Sequence, residues 1–211
     1  MIPTKEEWTK ALNNRHGTEF QKRISSSTVA ICGLGGLGSN IAIALARAGI
    51  GKLILIDFDK VDITNMHRQQ YKVNQIGTSK TEAMQDNLKE INPYIKTEIH
   101  NVYLDENNAK DILSDADIIC EAFDSAEAKA NIVNFVLSKM PEKYIVAASG
   151  MAGLGSSNSI RTRKISKHFY LCGDEVSDVK DGIGLVSSRV MLCAAHQAHT
   201  VLRIIANKFE V

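Results

Sequence analysis

One stretch of this chain crowds Asp57, Asp59, Asn65, Arg68 and Gln69 together, with Lys80 soon after. An arginine grips phosphate oxygens through two parallel N–H bonds, and a lysine offers them a compact positive charge. Asp57 closes an apolar run, Leu53-Ile54-Leu55-Ile56, where its carboxylate is placed to accept from ribose hydroxyls and to repel a 2′-phosphate. Upstream stands Gly33-Leu34-Gly35-Gly36-Leu37-Gly38. Gly33, Gly35 and Gly38 let a backbone turn sharply, approach a phosphate closely and pack a helix on a sheet. The helix that follows presents free N–H groups and a partial positive charge to an anion. The combined chemistry is the holding of a nucleotide polyphosphate. The glycine turn and Asp57 alone also fit an NAD-dependent oxidoreductase. That assignment leaves Asn65, Arg68, Gln69 and Lys80 without a use, and no second, catalytic domain is evident.

These residues need a scaffold that gathers them at one edge. Apolar runs predict strands at Thr28–Cys32, Lys52–Ile56, Ile95–Val102, Asp117–Glu121 and Tyr144–Ala148. Helical patterns lie at 4–14 (Thr4 capping, Glu7 three residues on), Ser39–Ala48 closed by Gly49, Thr78–Ile91 stopped by Asn92-Pro93, 107–114 and Ser125–Lys139. Residues 58–76 read as a polar loop. Strands alternating with helices predict an α/β fold, Rossmann-like and doubly wound, with a mostly parallel sheet. After Ser149 the pattern changes. Segments 159–165 and 168–172 read as a hairpin that extends the sheet as a short antiparallel C-terminal addition. Residues 173–184 read as a loop, and Ser187–Ala206 as a long helix with small residues Ala194, Ala195 and Ala198. The expected organisation is a single domain over 1–211: an N-terminal helical segment at 1–24, a nucleotide-binding core at 25–150, and a crossover region with the C-terminal helix at 151–211.

Bulk properties narrow the class. The chain has 211 residues, 44% of them apolar, and a net charge of +1, so no polyanionic partner is indicated and nucleic acid is not the expected ligand. A modest basic cluster, Arg161, Arg163, Lys164 and Lys167, is the exception. The four cysteines (Cys32, Cys120, Cys172, Cys193) are far apart, which argues against a structural zinc site. His196 and His199 lack further ligands nearby and read as ordinary helix residues. The N-terminus has no apolar signal core and no run reaches about 18 apolar residues, so a reduced, cytoplasmic protein with no membrane association is expected.

The motifs Gly-x-Gly-Gly-Leu-Gly-Ser-Asn, Asp-Phe-Asp-x-Val-x-x-x-Asn-x-x-Arg-Gln and Gly-x-x-Lys, with the later Asp124, resemble the ThiF/MoeB family of adenylating enzymes related to ubiquitin-activating enzymes. The resemblance runs from about Arg15 to the C-terminal helix. Leu45-Ala46-Arg47-Ala48-Gly49-Ile50-Gly51 and the short C-terminal part are most similar to the compact ThiF branch of thiamine biosynthesis. The resemblance implies ATP-dependent adenylation of the C-terminal glycine carboxylate of a small ubiquitin-like sulfur carrier, ThiS. Carriers for molybdopterin synthesis or a tRNA-modification substrate would use the same ATP site. It further implies that Gly33, Gly35, Gly36 and Gly38 form the nucleotide loop and that Asp57 binds ribose. Asp59 belongs to the same nucleotide-binding set. Asn65, Arg68, Gln69 and Lys80 surround the triphosphate, and Asp124 holds Mg2+. As a residue ahead of a helix starting near Ser125, Asp124 also suits an N-cap. An arginine near the N-terminus reaches across a homodimer in the family, and Arg15 is the match. Two departures stand out. Ser125 and Lys129 occupy positions where relatives carry Asn and Arg, and the paired cysteines of longer relatives are absent. Cys172 is read two ways: as a loop cysteine able to join a carrier, or as a strand-end cysteine packed under the loop. His67 is read as a loop residue without catalytic duty.

Overall fold

The computed structural model describes residues 2–180 and 182–211. Parallel strands β1 (Thr28–Cys32), β2 (Lys52–Ile56), β3 (Lys96–His100), β4 (Ile118–Glu121) and β5 (Tyr144–Ala148) are joined by β6 (Arg161–Lys164) and β7 (Phe169–Gly173) into one sheet, ordered β3-β2-β1-β4-β5-β7-β6. β7 runs parallel to β5, and only β6, at the edge, is antiparallel. The expected hairpin therefore forms, but its second strand enters the sheet in the parallel sense.

The strands are apolar on both sides because both faces are covered. Helices α3 (Gly36–Ala48), α4 (Lys80–Ile91) and α7 (Ser187–Ile205) bury Val29, Ile31, Leu53 and Leu55. Ala30, Cys32, Ile54 and Ile56 point the other way, into a core shared with α5 (Ala109–Ile112) and α6 (Ala126–Lys139). The strand order reverses between β1 and β4, which is where ligands bind in open α/β sheets. The crevice outside the carboxyl end of β1 is thus the place to look for a site.

Two N-terminal helices precede β1, where the sequence suggested one segment. Helix α1 (Lys5–His16) opens with the expected reciprocal cap between Thr4 and Glu7. Gly17, at φ +81, separates it from α2 (Thr18–Ser26). Among the described residues no helix is long and apolar enough to cross a membrane.

Cys172 is fully buried within β7, near Thr162 and Thr200, and burial pushes its thiol up to about 11. The loop-cysteine reading is therefore corrected: β7 extends to Gly173, the crossover loop begins only at 174, and the Cys172 sulfur packs as a small apolar group. Cys32, Cys120 and Cys193 are buried as well.

Candidate functional site

The glycine turn sits at the carboxyl end of β1, bonded from the Gly33 amide to the Ile56 carbonyl at 2.8 Å. Gly33 has φ +95, a conformation L side chains rarely adopt. At position 38 a Cβ would lie 1.8 Å from the Gly33 carbonyl oxygen, so only glycine lets α3 start this close to the turn. The helix begins at Gly36, three residues before the sequence-based boundary at Ser39, and no side chain caps its first amides. That helix end leaves its first amides without a side-chain partner, the chemistry of a candidate anion site.

Asp57 closes β2 beneath the turn. Its carboxylate accepts the Leu34 amide at 2.6 Å and the Asp59 amide at 2.8 Å, tying the glycine loop to the second strand. Burial raises the Asp57 pKa, opposed by Lys80 and by those two amides. Lys80, the first residue of α4, is itself buried, with its ammonium 2.7 Å from Asp59 and 3.9 Å from Asp57.

Residues 62–69 form a turn opened by Asp62, whose side chain accepts from the Thr64 amide, and by a single 3-10 turn at Ile63–Asn65. Its purpose is legible at Arg68. One guanidinium nitrogen donates to Asn65 Oδ1 at 2.9 Å, a second to His67 Nε2 at 3.3 Å, and Nε is buried with no partner. Burial lowers the Arg68 pKa, and Asp124 across the cleft offsets part of that. A buried guanidinium N–H left unpaired is costly in a finished protein and calls for an oxyanion.

The cleft is lined by Gly33, Gly35, Gly36, Asp57, Asp59, Arg68, Lys80 and Asp124 of the residues expected from sequence. Asn65, Gln69 and Gly38 stand behind this surface. Asn65 braces Arg68, buried Gln69 lies against Gly35 with its Oε1 unpartnered, and Gly38 supports the turn. Arg15 is not brought to the site. Helix α1 packs through Leu12 against Gly49, the C-cap of α3. A helix of that length spans about 20 Å, and the glycine turn is at its other end.

Asp124 is exposed at the cleft and is not the cap of α6, since Ser125 takes that role by accepting from the Ala128 amide. Its carboxylate is free for a ligand. Among the described residues no group of three or more acidic, histidine or cysteine side chains forms a metal cage.

Sequence reasoning missed several residues. Glu121, fully buried at the end of β4, accepts from the Phe123 amide at 2.7 Å and pairs with Lys129 at 2.9 Å. Burial raises its pKa against the pull of Lys129. The ammonium of Lys129 is thus engaged at the end of β4, just before the loop that carries Asp124. Phe58 and Tyr103 form an exposed aromatic pair, centroids 5.4 Å apart, at the cleft mouth. Arg189 of α7 ties down the loops that roof the cleft through Met151 and Leu185.

The sequence pattern of the ThiF family matches residues 9–211. The chain is 40% identical over 114 residues to "Adenylyltransferase and sulfurtransferase MOCS3" of Caenorhabditis briggsae, covering 54% of this chain and 28% of that protein. It is 54% identical over 80 residues to "Ubiquitin-like modifier-activating enzyme 5" of Caenorhabditis elegans, covering 38% of this chain and 19% of that protein. The chain thus matches less than a third of either relative's length. Among solved structures, E. coli tRNA N6-threonylcarbamoyladenosine dehydratase TcdA in complex with ATP superposes with a TM-score of 0.86 at 20% identity, over 99% of this chain and 98% of that one. At that identity the likeness is one of fold.

Proposed function

The chain belongs to the ThiF family, and on that premise we propose that it is an ATP-dependent adenylyltransferase acting on the C-terminal glycine carboxylate of a small ubiquitin-like sulfur carrier of the ThiS kind, in the cytoplasm and in the service of thiamine biosynthesis. The observation that carries this is Arg68. Arg68, whose Nε is buried and unpaired, and Lys80 line the same cleft as an uncapped helix N-terminus. Such a convergence serves a polyphosphate.

The reaction needs little else. A carboxylate oxygen of the acceptor bonds to the α-phosphorus, the bond from that phosphorus to the bridging oxygen breaks, and pyrophosphate leaves with the electron pair. The acceptor is its own nucleophile, and among the described residues no histidine or cysteine lines the cleft to activate one. Catalysis reduces to alignment and charge neutralisation. Asp57 accepts from the ribose, the glycine turn and α3 cradle phosphate, and Arg68 and Lys80 neutralise the triphosphate. The apolar wall at Phe58 and Tyr103 suits the base. Mg2+ is held by one or two carboxylates together with substrate phosphates and water. A single free carboxylate at Asp124 fits that pattern, and the ion would offset charge on the departing pyrophosphate.

A homodimer completes the reading. Arg15 is exposed and remote from its own cleft, so its phosphate role requires a second copy. Carrier-dependent ATP–pyrophosphate exchange with Mg2+ tests the whole. We expect exchange only with a carrier ending in Gly-Gly, and its loss in Asp124→Ala and in Arg15→Ala. Mixing those two inactive variants should restore up to about a quarter of the exchange, because shuffled dimers contain one intact site. Exchange without any carrier, or full activity of Asp124→Ala, would sink the assignment.

A tRNA acceptor is less well supported. Of the basic cluster, Arg163 is paired with Glu175 and Lys164 with Glu210, which halves the charge offered to a phosphate backbone.

A further inference from the structure

His67 is not an idle loop residue. Its Nδ1 lies 3.1 Å from the Thr64 carbonyl oxygen, and its Nε2 lies 3.3 Å from a terminal nitrogen of Arg68. A carbonyl only accepts, so Nδ1 carries the proton. A guanidinium only donates, so Nε2 presents its lone pair. The two contacts together fix one tautomer and require a neutral ring. The Thr64 carbonyl is held in turn by its own turn, where Asp62 accepts the Thr64 amide and the Arg68 amide closes on the Asn65 carbonyl at 3.2 Å.

We propose that His67 is a positioning residue for Arg68: as the neutral imidazole it accepts a hydrogen bond from one guanidinium N–H, while Asn65 accepts from another, and the pair holds the fork open towards the nucleotide phosphates. A protonated ring has no lone pair for Arg68 and sets a second cation beside it. The contact with Arg68 therefore exists only for the neutral ring. Asp124 from the β4–α6 loop faces Arg68, and Lys80, Asp57 and Asp59 share the cleft. None of these is within hydrogen-bond reach of His67, so the ring's partners are Thr64 and Arg68 alone among the described residues. The inference rests on the reading that Arg68 binds ATP phosphates.

Three substitutions separate positioning from simple charge. His67→Gln keeps an acceptor near the Nε2 position and does not titrate. His67→Leu keeps bulk without an acceptor. His67→Lys is a permanent cation. The ring is exposed, so all three should fold as the wild type does. Mg-ATP affinity is measured by calorimetry at about pH 8. At pH 8 we expect His67→Gln to bind within about twofold of wild type, and His67→Leu and His67→Lys to bind about tenfold more weakly, as loss of a hydrogen bond to a charged group entails. Equal binding by His67→Leu, or tighter binding by His67→Lys, would overturn the inference, since charge alone would then suffice. Failure of the wild type to bind Mg-ATP would instead overturn the functional reading beneath it.

Discussion

Arg68→Ala should lower carrier-dependent pyrophosphate exchange by at least about 100-fold, the usual effect of removing one preorganised group that meets transition-state charge. The side chain is prepared for that work before any nucleotide arrives. Its stem lies beside Gly36, where an added Cβ would be 3.4 Å from Arg68 Cγ, so the guanidinium stands at the first turn of α3. Asn65 and His67 each hold one N–H, and the buried Nε holds nothing. A group that carries an unpaired buried donor costs stability in the free protein. Its removal should accordingly leave the melting temperature unchanged or slightly raised, which separates a functional role from a structural one. Arg68→Lys should recover only part of the rate, because an ammonium supplies charge without the two-pronged geometry. A drop of only a few-fold in Arg68→Ala, with ATP affinity intact, would remove this residue from the phosphate site and leave Lys80 and the helix end to carry the charge.

The parts of this molecule that sequence revealed are those encoded locally. β1, β2 and β5 fall on the residues their apolar runs marked, because a strand buried on both faces must be apolar throughout. Residues 57–80 read as a candidate phosphate site because one segment delivers the whole polar set, and the structure brings Asp57, Asp59, Arg68 and Lys80 to one cleft. Where boundaries moved, the signal was of the wrong kind. Helix α3 starts at Gly36 rather than Ser39, since glycines that turn and glycines that begin a helix look alike in one dimension. Helix α2 turns only Gln21 and Ile24 fully inward, too short a stripe to show its period. The parallel sense of β7 was hidden because periodicity has no direction. The missed residues act through partners that the sequence does not place beside them: Glu121 under the known departure Lys129, Phe58 against Tyr103, and Arg189 on Asp174. The role of His67 depends on which nitrogen meets which partner, and that exists only in three dimensions.

Arg189→Ala should destabilise the protein by about 3–5 kcal/mol, the cost of leaving a buried ionic partner uncompensated, and lower the melting temperature by roughly 6–20 °C for a chain of this size. Arg189 is 6% exposed, and all five of its N–H groups are used. Nε donates to the Ala152 carbonyl at 3.0 Å. One terminal nitrogen donates to the carbonyls of Gly155 and Ser156 at 2.7 and 2.8 Å, and the other to Ser159 Oγ and to Asp174. These partners lie on the loop after β5 and at the start of the crossover loop, which are also joined by the bridge of Ala152 with Leu185 and by bonds from the Asp174 amide to the Gly150 carbonyl, the Glu175 amide to the Ser149 carbonyl and the Ala152 amide to Ser177 Oγ. Truncation strands all of the partners at once, and lysine, with one point charge and three donors, should recover less than half the loss. The acid dependence gives a second reading of the same contact. Burial pushes Asp174 up, but the Ser177 and Val176 amides, the Ser177 hydroxyl and Arg189 bring it down to about 2. A carboxylate depressed on folding contributes stability that is full above its unfolded value, near 4, and is lost as pH falls towards 2. Removing Arg189 removes part of that depression, so the stability gap between wild type and variant should be widest near neutrality and narrow from pH 4 downwards. Thermal melts across that range decide the matter. A gap of under about 2 °C at neutral pH would mean that water replaces the guanidinium at little cost. The loops over the cleft would then be held by their remaining hydrogen bonds, from the Asp174 and Glu175 amides to the Gly150 and Ser149 carbonyls and from the Ala152 amide to Ser177.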